Sequence, residues 1–300
     1  MKKYFLMIAL LALTLVSCGD KHGSGKGNYL MLDQFVLVLE AGDNAKLNAT
    51  TYSNVGRSDF AYGWSSTNPA VATVDGQGNV KALSAGAADI VAQAENGASA
   101  ACRVMVLQFV DLGGAVLWAT CNFGASRPQD AGFYYAWGEK GNKNTYTWTN
   151  YAFATAANQL KKYNWDEHYG EVDGKNVLDA SDDIVSYTSD RRFRMPSRGD
   201  LETLLTDASV GKEYVNEEGR RGLKVWSEST GAEIFLPATG YFEASVLESQ
   251  TMGYYWTSAL AGTDSEPSKA IALSFDTGGA VKDAILRFRG LLIRPVKAKP

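Results

Sequence analysis

Short runs of β-forming residues, separated at close intervals by turn residues, constrain the fold of this 300-residue chain most. Residues 35–39 (FVLVL) are apolar on both alternating faces, which is typical of a strand buried on both sides. Two further pairs of runs flank turns: 71–74 and 79–83 flank DGQG at 75–78, and 90–94 and 101–107 flank Asn96-Gly97. Asn-Gly between two such runs is a strong hairpin signal. This punctuation predicts a β-sandwich over residues 29–108.

A specific motif lies inside this region. Residues 64–74 read WSSTNPAVATV and are followed by GNVKA at 78–82 and Ala85-Gly86. This resembles a bacterial Ig-like domain of group 2. The resemblance implies that Trp64 is the core tryptophan of the sandwich and that Gly86 forms a tight turn. It also implies a spacer role, because such domains separate parts of adhesins and surface enzymes.

The first seventeen residues are typical of a secretion signal. Lys2 and Lys3 precede an apolar run over 4–16, which is too short to span a bilayer comfortably. The run ends in LVSCG at 15–19, which resembles the lipobox of bacterial lipoproteins. The resemblance implies cleavage after residue 17 and lipid attachment to Cys18, which would anchor the chain in a membrane. The alternative is an ordinary signal peptide with an incidental cysteine.

Residues 18–28 form a glycine-rich, polar segment, which predicts a flexible tether. Gly19, not aspartate, follows the lipobox cysteine. By resemblance to lipoprotein sorting, this implies the outer membrane of the cell envelope. Surface-exported lipoproteins of Bacteroidetes often carry an acidic run in the tether, and this tether has none. The periplasmic and the cell-surface face of that membrane both stay open.

The remaining residues, 109–300, carry a second set of motifs. They are LWATCNFGA at 117–125, GFYYAWGE at 132–139, FRMPS at 193–197, IFLPATG at 234–240, YYWTS at 254–258 and LLIRPV at 291–296. Together they resemble the Fibrobacter succinogenes major paralogous domain. The resemblance implies a fold related to the C-type lectin-like and formylglycine-generating enzyme folds. We therefore expect an Ig-like β-sandwich followed by an α+β domain, and a chain that is mainly β.

Local patterns in this second domain predict its elements. Ser197 and Asp200 form a capping-box-like start to a short helix, and Asp182 and Asp183 precede a second helix. Alternating runs predict strands, and these are 233–236, 254–258, 270–275, 285–288 and 291–296.

Net charge, residue spacing and the number of cysteines argue against several functions. A net charge of -4 without a basic face argues against a nucleic-acid partner. His168 stands alone between acids and indicates a solvated loop, and Asp179, Asp182 and Asp183 lack the regular spacing of a calcium loop. Cys121 alone in the second domain excludes formylglycine-type chemistry, and we expect no disulfide between it and Cys102. We expect no catalytic residues, metal or cofactor, although carboxylates assembled in space leave an enzyme as an alternative.

The aromatic segment 133–170 is the best candidate for a ligand site. Tryptophan and tyrosine side chains suit stacking on sugars or anchoring of a protein interface, and loops are where binding residues tend to lie. The motif-bound aromatics Tyr134, Tyr135 and Trp137 are expected in the core. The predicted ligand-binding residues are Trp148, Tyr151, Tyr163 and Trp165. The alternative is that these four also pack in the core.

These features lead to one main hypothesis. The chain is expected to be an envelope lipoprotein whose Ig-like spacer presents a lectin-like domain to a glycan or protein ligand, in adhesion or ligand capture. A structural component of an envelope or fimbria-like assembly is the alternative, and a hydrolase or modifying enzyme is the third hypothesis.

Overall fold

The computed structural model describes residues 29–53, 56–58, 61–95, 97–217, 219–262 and 266–300. The predicted signal peptide, the tether and Cys18 lie outside the described residues. Strands dominate both halves of the described chain, so the prediction of a mainly β protein is confirmed.

The described residues of the N-terminal domain form ten strands in three sheets. The strands are β1 (Tyr29–Leu32), β2 (Val36–Glu40), β3 (Asn44–Lys46), β4 (Ala49–Ser53), β5 (Gly56–Ser58), β6 (Tyr62–Ser66), β7 (Ala72–Val74), β8 (Asn79–Ala82), β9 (Gly86–Ala94) and β10 (Ser99–Leu107). The sheet orders are β1-β4-β5, β2-β10-β9-β6 and β3-β8-β7. The predicted hairpin around residues 96–97 is confirmed, because β9 and β10 pair antiparallel. β2 instead pairs parallel to β10.

The turn between β7 and β8 shows why glycine is needed there. Gly78 has φ +81, and a Cβ at this position would lie 2.6 Å from the carbonyl oxygen of Leu47 and 2.8 Å from the ring of Trp64. Trp64 is half-buried and packs along the edge of two apolar clusters, not at the centre of the sandwich. The fully buried centre is aliphatic, with Leu47 and Ile90 among its members.

The C-terminal domain contains eleven strands and two helices in the described residues. They are β11 (Phe109–Val110), β12 (Val116–Ala119), α1 (Ile184–Thr188), α2 (Arg198–Thr206), β13 (Val210–Glu217), β14 (Arg220–Ser227), β15 (Glu233–Pro237), β16 (Tyr241–Glu243), β17 (Val246–Glu248), β18 (Gly253–Leu260), β19 (Lys269–Asp276), β20 (Gly279–Leu286) and β21 (Val296–Ala298). The sheet orders are β11-β12-β21, β13-β14-β15, β16-β17 and β18-β19-β20. The first and last parts of the domain are thereby joined, because β12 pairs with β21.

Both predicted helix starts are confirmed. The Ser197 side chain accepts a hydrogen bond from the Asp200 amide, and the Asp200 carboxylate accepts one from the Ser197 amide, which completes a capping box on α2. Asp183 caps α1 by accepting from the amides of Val185 and Ser186.

Two strand predictions are corrected by the structure. The sequence pattern predicts a strand over residues 285–288, but the observed strand is Gly279–Leu286, and Arg287 and Phe288 lie beyond its end. The second correction concerns residues 291–296. Residues 291–296 do not form a continuous strand, and the regular strand begins at Val296. Leu291 and Leu292 instead make isolated bridges to two different partners, Tyr135 and Tyr255. Pro295 has no backbone N–H to extend a ladder of hydrogen bonds. The run is instead buried and forms single bridges to separate parts of the domain.

The two domains share a core. Val38 and Met105 of the Ig-like part lie in one apolar cluster with Phe193, Trp256 and other buried residues of the C-terminal part. Polar contacts reinforce the interface: Lys297 pairs with Glu40, and Gly124 N–H donates to Met105 Sδ at 2.8 Å. The Ig-like domain is therefore packed onto its neighbour, a closer association than a freely jointed spacer would have.

Within the described ranges, no helix is long and apolar enough to cross a membrane.

Candidate functional site

The loop-rich segment between β12 and α1 is held by a continuous series of aromatic contacts, here called the aromatic ladder. It begins at fully buried Trp137, whose indole N–H donates to the Thr257 carbonyl at 2.8 Å. Successive ring centroids lie 4.9 to 5.8 Å apart, mostly edge to face, along Trp137, Tyr163, Phe153, Tyr151, Trp148 and Phe288. Such contacts fix ring orientations as well as burying area. The ladder connects the domain core to half-buried Trp148.

Tyr163 is the most constrained member of the ladder. Its φ is +59, a left-handed conformation that is costly for an aromatic residue. Its hydroxyl donates to Asp182 at 2.5 Å and accepts from the Asp179 amide at 3.0 Å, while its own amide donates to Asp173. These contacts hold the strained residue and join the loop segment to the start of α1.

A network of ion pairs lies beside Tyr163 and the start of α1. Lys162 pairs with both Asp179 and Asp182. Desolvation acts to lower the pKa of Lys162, but its hydrogen bonds to these two carboxylates outweigh it and raise the pKa above its ordinary value. The same ion pairs and that of Lys175 help hold the pKa of Asp179 below its ordinary value. The network is internally neutralised, so it fixes the loop and offers little free charge to a ligand.

Arg287 lies beneath the ladder and is fully buried. Its guanidinium faces the rings of Trp137 and Tyr151 at 5.6 Å each, and Nη1 donates to the Tyr163 carbonyl at 2.9 Å. Its Nε and Nη2 have no hydrogen-bond partner among the described residues. Burial accordingly lowers the pKa of Arg287 from its ordinary value. This cation stiffens the floor of the loop segment through its ring contacts.

The outer end of the ladder is the candidate site. Trp148 opens a short 3-10 helix, Trp148–Asn150, and packs on Tyr151 and Phe288 while part of its surface stays exposed. Polar side chains surround this helix: Lys143 donates to the Asn150 carbonyl at 2.9 Å and pairs with Glu139. The hydroxyls of residues 147 and 149 contact each other at 3.0 Å. A partly exposed indole on the same short helix as hydroxyl and amide side chains can stack on a sugar or anchor a peptide.

The four predicted ligand-binding residues fall into two groups. Tyr151 is 3% exposed and donates its hydroxyl to the Trp137 carbonyl, and Tyr163 is 0% exposed. Both are therefore core residues, which corrects their predicted placement in a ligand-facing loop. Trp148 and Trp165 keep partial exposure but pack against different apolar clusters, so the structure does not bring all four together.

The candidate site also includes residues that the sequence did not single out. Phe153 and Phe288 are ladder members, and Glu139 and Lys143 fix the approach to Trp148. Glu139 also accepts from the Ala152 amide at 2.6 Å. Their spacing gives no local signal, because Phe288 comes from the far end of the chain. The i,i+4 spacing of Glu139 and Lys143 indicates an ion pair only within a helix, and these residues are not helical, so the spacing does not predict their contact.

Metal-binding and thiol chemistry gain no support from the geometry. The described residues contain no group of three or more His, Cys, Asp or Glu side chains that could hold a metal ion. His168 is exposed and contacts Asp166 of its own turn, as its loop position predicts. Cys102 and Cys121 are both buried, form no disulfide within the described chain, and have thiol pKa values raised by burial.

Comparison with known families identifies the N-terminal part. Residues 31–104 match the bacterial Ig-like domain (group 2). The prediction of this domain is thereby confirmed, and its matched span agrees with strands β1 to β10. No curated protein sequence matches the chain.

Solved structures that match the chain include two of intimin and one of a surface layer protein. An intimin mutant of EHEC O157:H7 is 11% identical, with a TM-score of 0.21, over 89% of this chain and 98% of that one. A C-terminal fragment of intimin, solved with the intimin-binding domain of its translocated receptor, is 13% identical, with a TM-score of 0.23, over 69% of this chain and 61% of that one. Surface layer protein SbsC, domains 1-6, is 12% identical, with a TM-score of 0.22, over 89% of this chain and 37% of that one.

Proposed function

We propose that the protein is a non-enzymatic envelope lipoprotein that captures a glycan or protein ligand with the loop segment around Trp148. One observation carries the binding role: the aromatic ladder reaches the surface at half-buried Trp148, which begins a short 3-10 helix with two exposed polar residues, Thr149 and Asn150. A loop of this length that served only as a connection would not need a ring series and an ion-pair network to fix it.

The rest of the proposal concerns attachment and fold. The lipobox-like sequence at 15–19 supports a lipid on Cys18, and Gly19 supports the outer membrane. The motifs of residues 109–300 support a C-type lectin-like domain. Since the Ig-like domain shares a core with that domain, we propose that the two present the ligand site as one unit.

The binding role is tested with the full chain, because the shared core argues against using the C-terminal half alone. The detergent-purified protein is applied to a glycan array and to a panel of host and envelope proteins. We expect retention of a ligand that is lost in Trp148→Ala. Trp226→Ala is the matched control, because Trp226 is also half-buried but lies on β14. The proposal fails if nothing is retained, or if Trp226→Ala loses as much as Trp148→Ala.

Attachment is tested separately in cells. Cys18→Ala is expected to move the protein from the membrane fraction to the soluble fraction. Protease shaving of intact cells then distinguishes the two faces: loss of the protein places the domain outside, and full protection makes an adhesive role untenable.

A further inference from the structure

A groove of about 500 Å³ runs along the outer edge of β2, where the two domains meet. Its floor is β2 and its far wall is the segment from Tyr187 to Arg192, which follows α1. The groove lies in the size range of ligand sites, roughly 300–1,000 Å³. It is separate from the aromatic ladder, because no ladder residue lines it.

The floor of the groove is an incompletely paired strand. β2 is the last strand of its sheet, and its parallel pairing with β10 uses the backbone groups of residues 35, 37 and 39, as shown by the Arg103 amide donating to the Phe35 carbonyl. The alternate residues turn their backbone groups outward. The Glu40 amide donates to Asp43, and the Val38 carbonyl accepts from Arg192.

The remaining outward groups are the N–H and C=O of Val36 and the N–H of Val38. None of the three is given a partner by the described residues on the groove side. They form a donor, acceptor, donor series at strand spacing. Val36 is half-buried and Val38 is only 1% exposed, so the accessible part of this edge is Val36, whose N–H and C=O both face outward. Unpaired edge groups of this kind are a template for one more strand.

Aromatic side chains stand at the mouth of the groove. Phe35 is 59% exposed and Tyr187 is 52% exposed, which is unusual for rings of this size. Lys140 lies 4.4 Å from the centre of the Tyr187 ring and adds a positive charge outside the lining. The two rings offer apolar contact to side chains on either face of an added strand.

The charge of the lining selects the occupant. Asp33 and Asp190 both line the groove, and within the described chain neither carboxylate has an ion-pair partner. Arg192, the basic residue of the lining, is already paired with Asp43 at 2.7 Å. The lining therefore has excess negative charge, which favours a basic partner.

We propose that this groove docks an extended segment of a partner protein that carries a basic side chain and adds as a strand to the edge of β2. Main-chain hydrogen bonds to the N–H and C=O of Val36 supply the part of the affinity that does not depend on the partner's side chains, and the aromatic and acidic walls of the groove select among partners. The docking site does not depend on the ligand role of Trp148, so either can fail alone.

The test uses the full chain in detergent and a fluorescein-labelled peptide, acetyl-KVKVT-amide, as the probe. We expect saturable binding and slower amide hydrogen exchange in residues 33–40. Removing one exposed charge should weaken binding about threefold to fivefold in Asp33→Asn and in Asp190→Asn. Glu248→Gln, which removes an exposed acid on β17, is the control and should leave binding unchanged.

Probe variants keep the test independent of folding. The acidic peptide acetyl-EVEVT-amide and a backbone N-methylated form of the basic probe are both expected to bind at least tenfold more weakly. The proposal is overturned if residues 33–40 exchange at the same rate with and without millimolar probe, or if the N-methylated probe binds as well. It is also overturned if the chain self-associates through residues 33–40, since a second copy would then be the occupant.

Discussion

The shared core makes a direct prediction about cooperativity, which Met105→Ala tests. Met105 belongs to the Ig-like domain but is fully buried in the cluster that it forms with the C-terminal domain. Truncating a buried methionine to alanine costs roughly 2–5 kcal/mol. We expect a value of about 3 kcal/mol or more, because the Gly124 amide also loses its hydrogen bond to Met105 Sδ.

The expected consequence is one transition at lower temperature. For a unit of this size each kcal/mol shifts the midpoint by roughly 2–4 °C, so the variant should melt about 6–12 °C below the parent. Thermal unfolding followed in parallel by far-ultraviolet circular dichroism and tryptophan fluorescence measures this. Six of the seven tryptophans lie in the C-terminal part, so fluorescence reports mainly on that domain.

Two control variants complete the experiment. Val80→Ala removes a side chain from the Ig-like domain's own core and should lower the same single transition. Val246→Ala changes an exposed residue and should alter the free energy of unfolding by no more than about 0.5 kcal/mol, which leaves the midpoint within about 2 °C of the parent. The reasoning is refuted if Met105→Ala unfolds the Ig-like part alone and leaves the fluorescence transition at its parent temperature.

Three further predictions follow from single sites. Burial acts to raise the pKa of Asp200, but the hydrogen bonds from Arg194 and Ser197 outweigh it and hold the pKa below its ordinary value. The stability that Asp200 contributes is therefore present above about pH 4 and lost as the pH falls through the folded-state pKa, and Asp200→Asn should flatten this acid limb in urea titrations at stepped pH. Gly240→Ala should lower the free energy of unfolding, measured by urea titration, by about 1–3 kcal/mol or more, because φ is +76 and a Cβ would lie 1.9 Å from the Glu248 carbonyl oxygen. Iodoacetamide should leave Cys102 and Cys121 unmodified in the native protein and alkylate both in urea, as mass spectrometry would show, and rapid native modification would contradict their burial.

Local patterns in the sequence predicted local structure well. The hairpin around residues 96–97 and the caps at Asp183 and Ser197 each depend on residues within a few positions of one another. Turn conformation and helix capping are set by such short-range chemistry, so a single sequence carries them. The Ig-like domain could be predicted from the sequence for the same reason, because the residues of its motif are contiguous.

Other strands escaped prediction because their patterns are weak. β13 and β14 read VGKEYVNE and RRGLKVWS, in which glycine and charged residues interrupt the alternation. The two strands pair with each other over eight positions, and β14 also pairs with β15. Their strand conformation therefore depends on tertiary pairing more than on the local sequence pattern. Residues 291–296 failed in the opposite way, because a strongly apolar run was used for packing between layers and not for a ladder.

The candidate site was only partly predictable for a related reason. The sequence does not distinguish Tyr151 from Trp148, because both are aromatic residues in a segment rich in asparagine. Their different burial is decided by Arg287 and Phe288, which lie far away in sequence and close in space. A single sequence identifies the aromatic segment, while the tertiary contacts decide which ring reaches the surface.

The most direct test of the binding proposal is a calorimetric titration of the full chain with the ligand that it retains. The affinities of the parent protein, Trp148→Ala and Trp226→Ala are compared at a temperature at which all three are fully folded. The account predicts that Trp148→Ala weakens binding at least about tenfold, because a stacked aromatic anchor contributes on the order of 1.4 kcal/mol or more. It predicts that Trp226→Ala binds as the parent does. Unchanged affinity in Trp148→Ala would contradict the account, since the ladder would then end at the surface without serving a ligand.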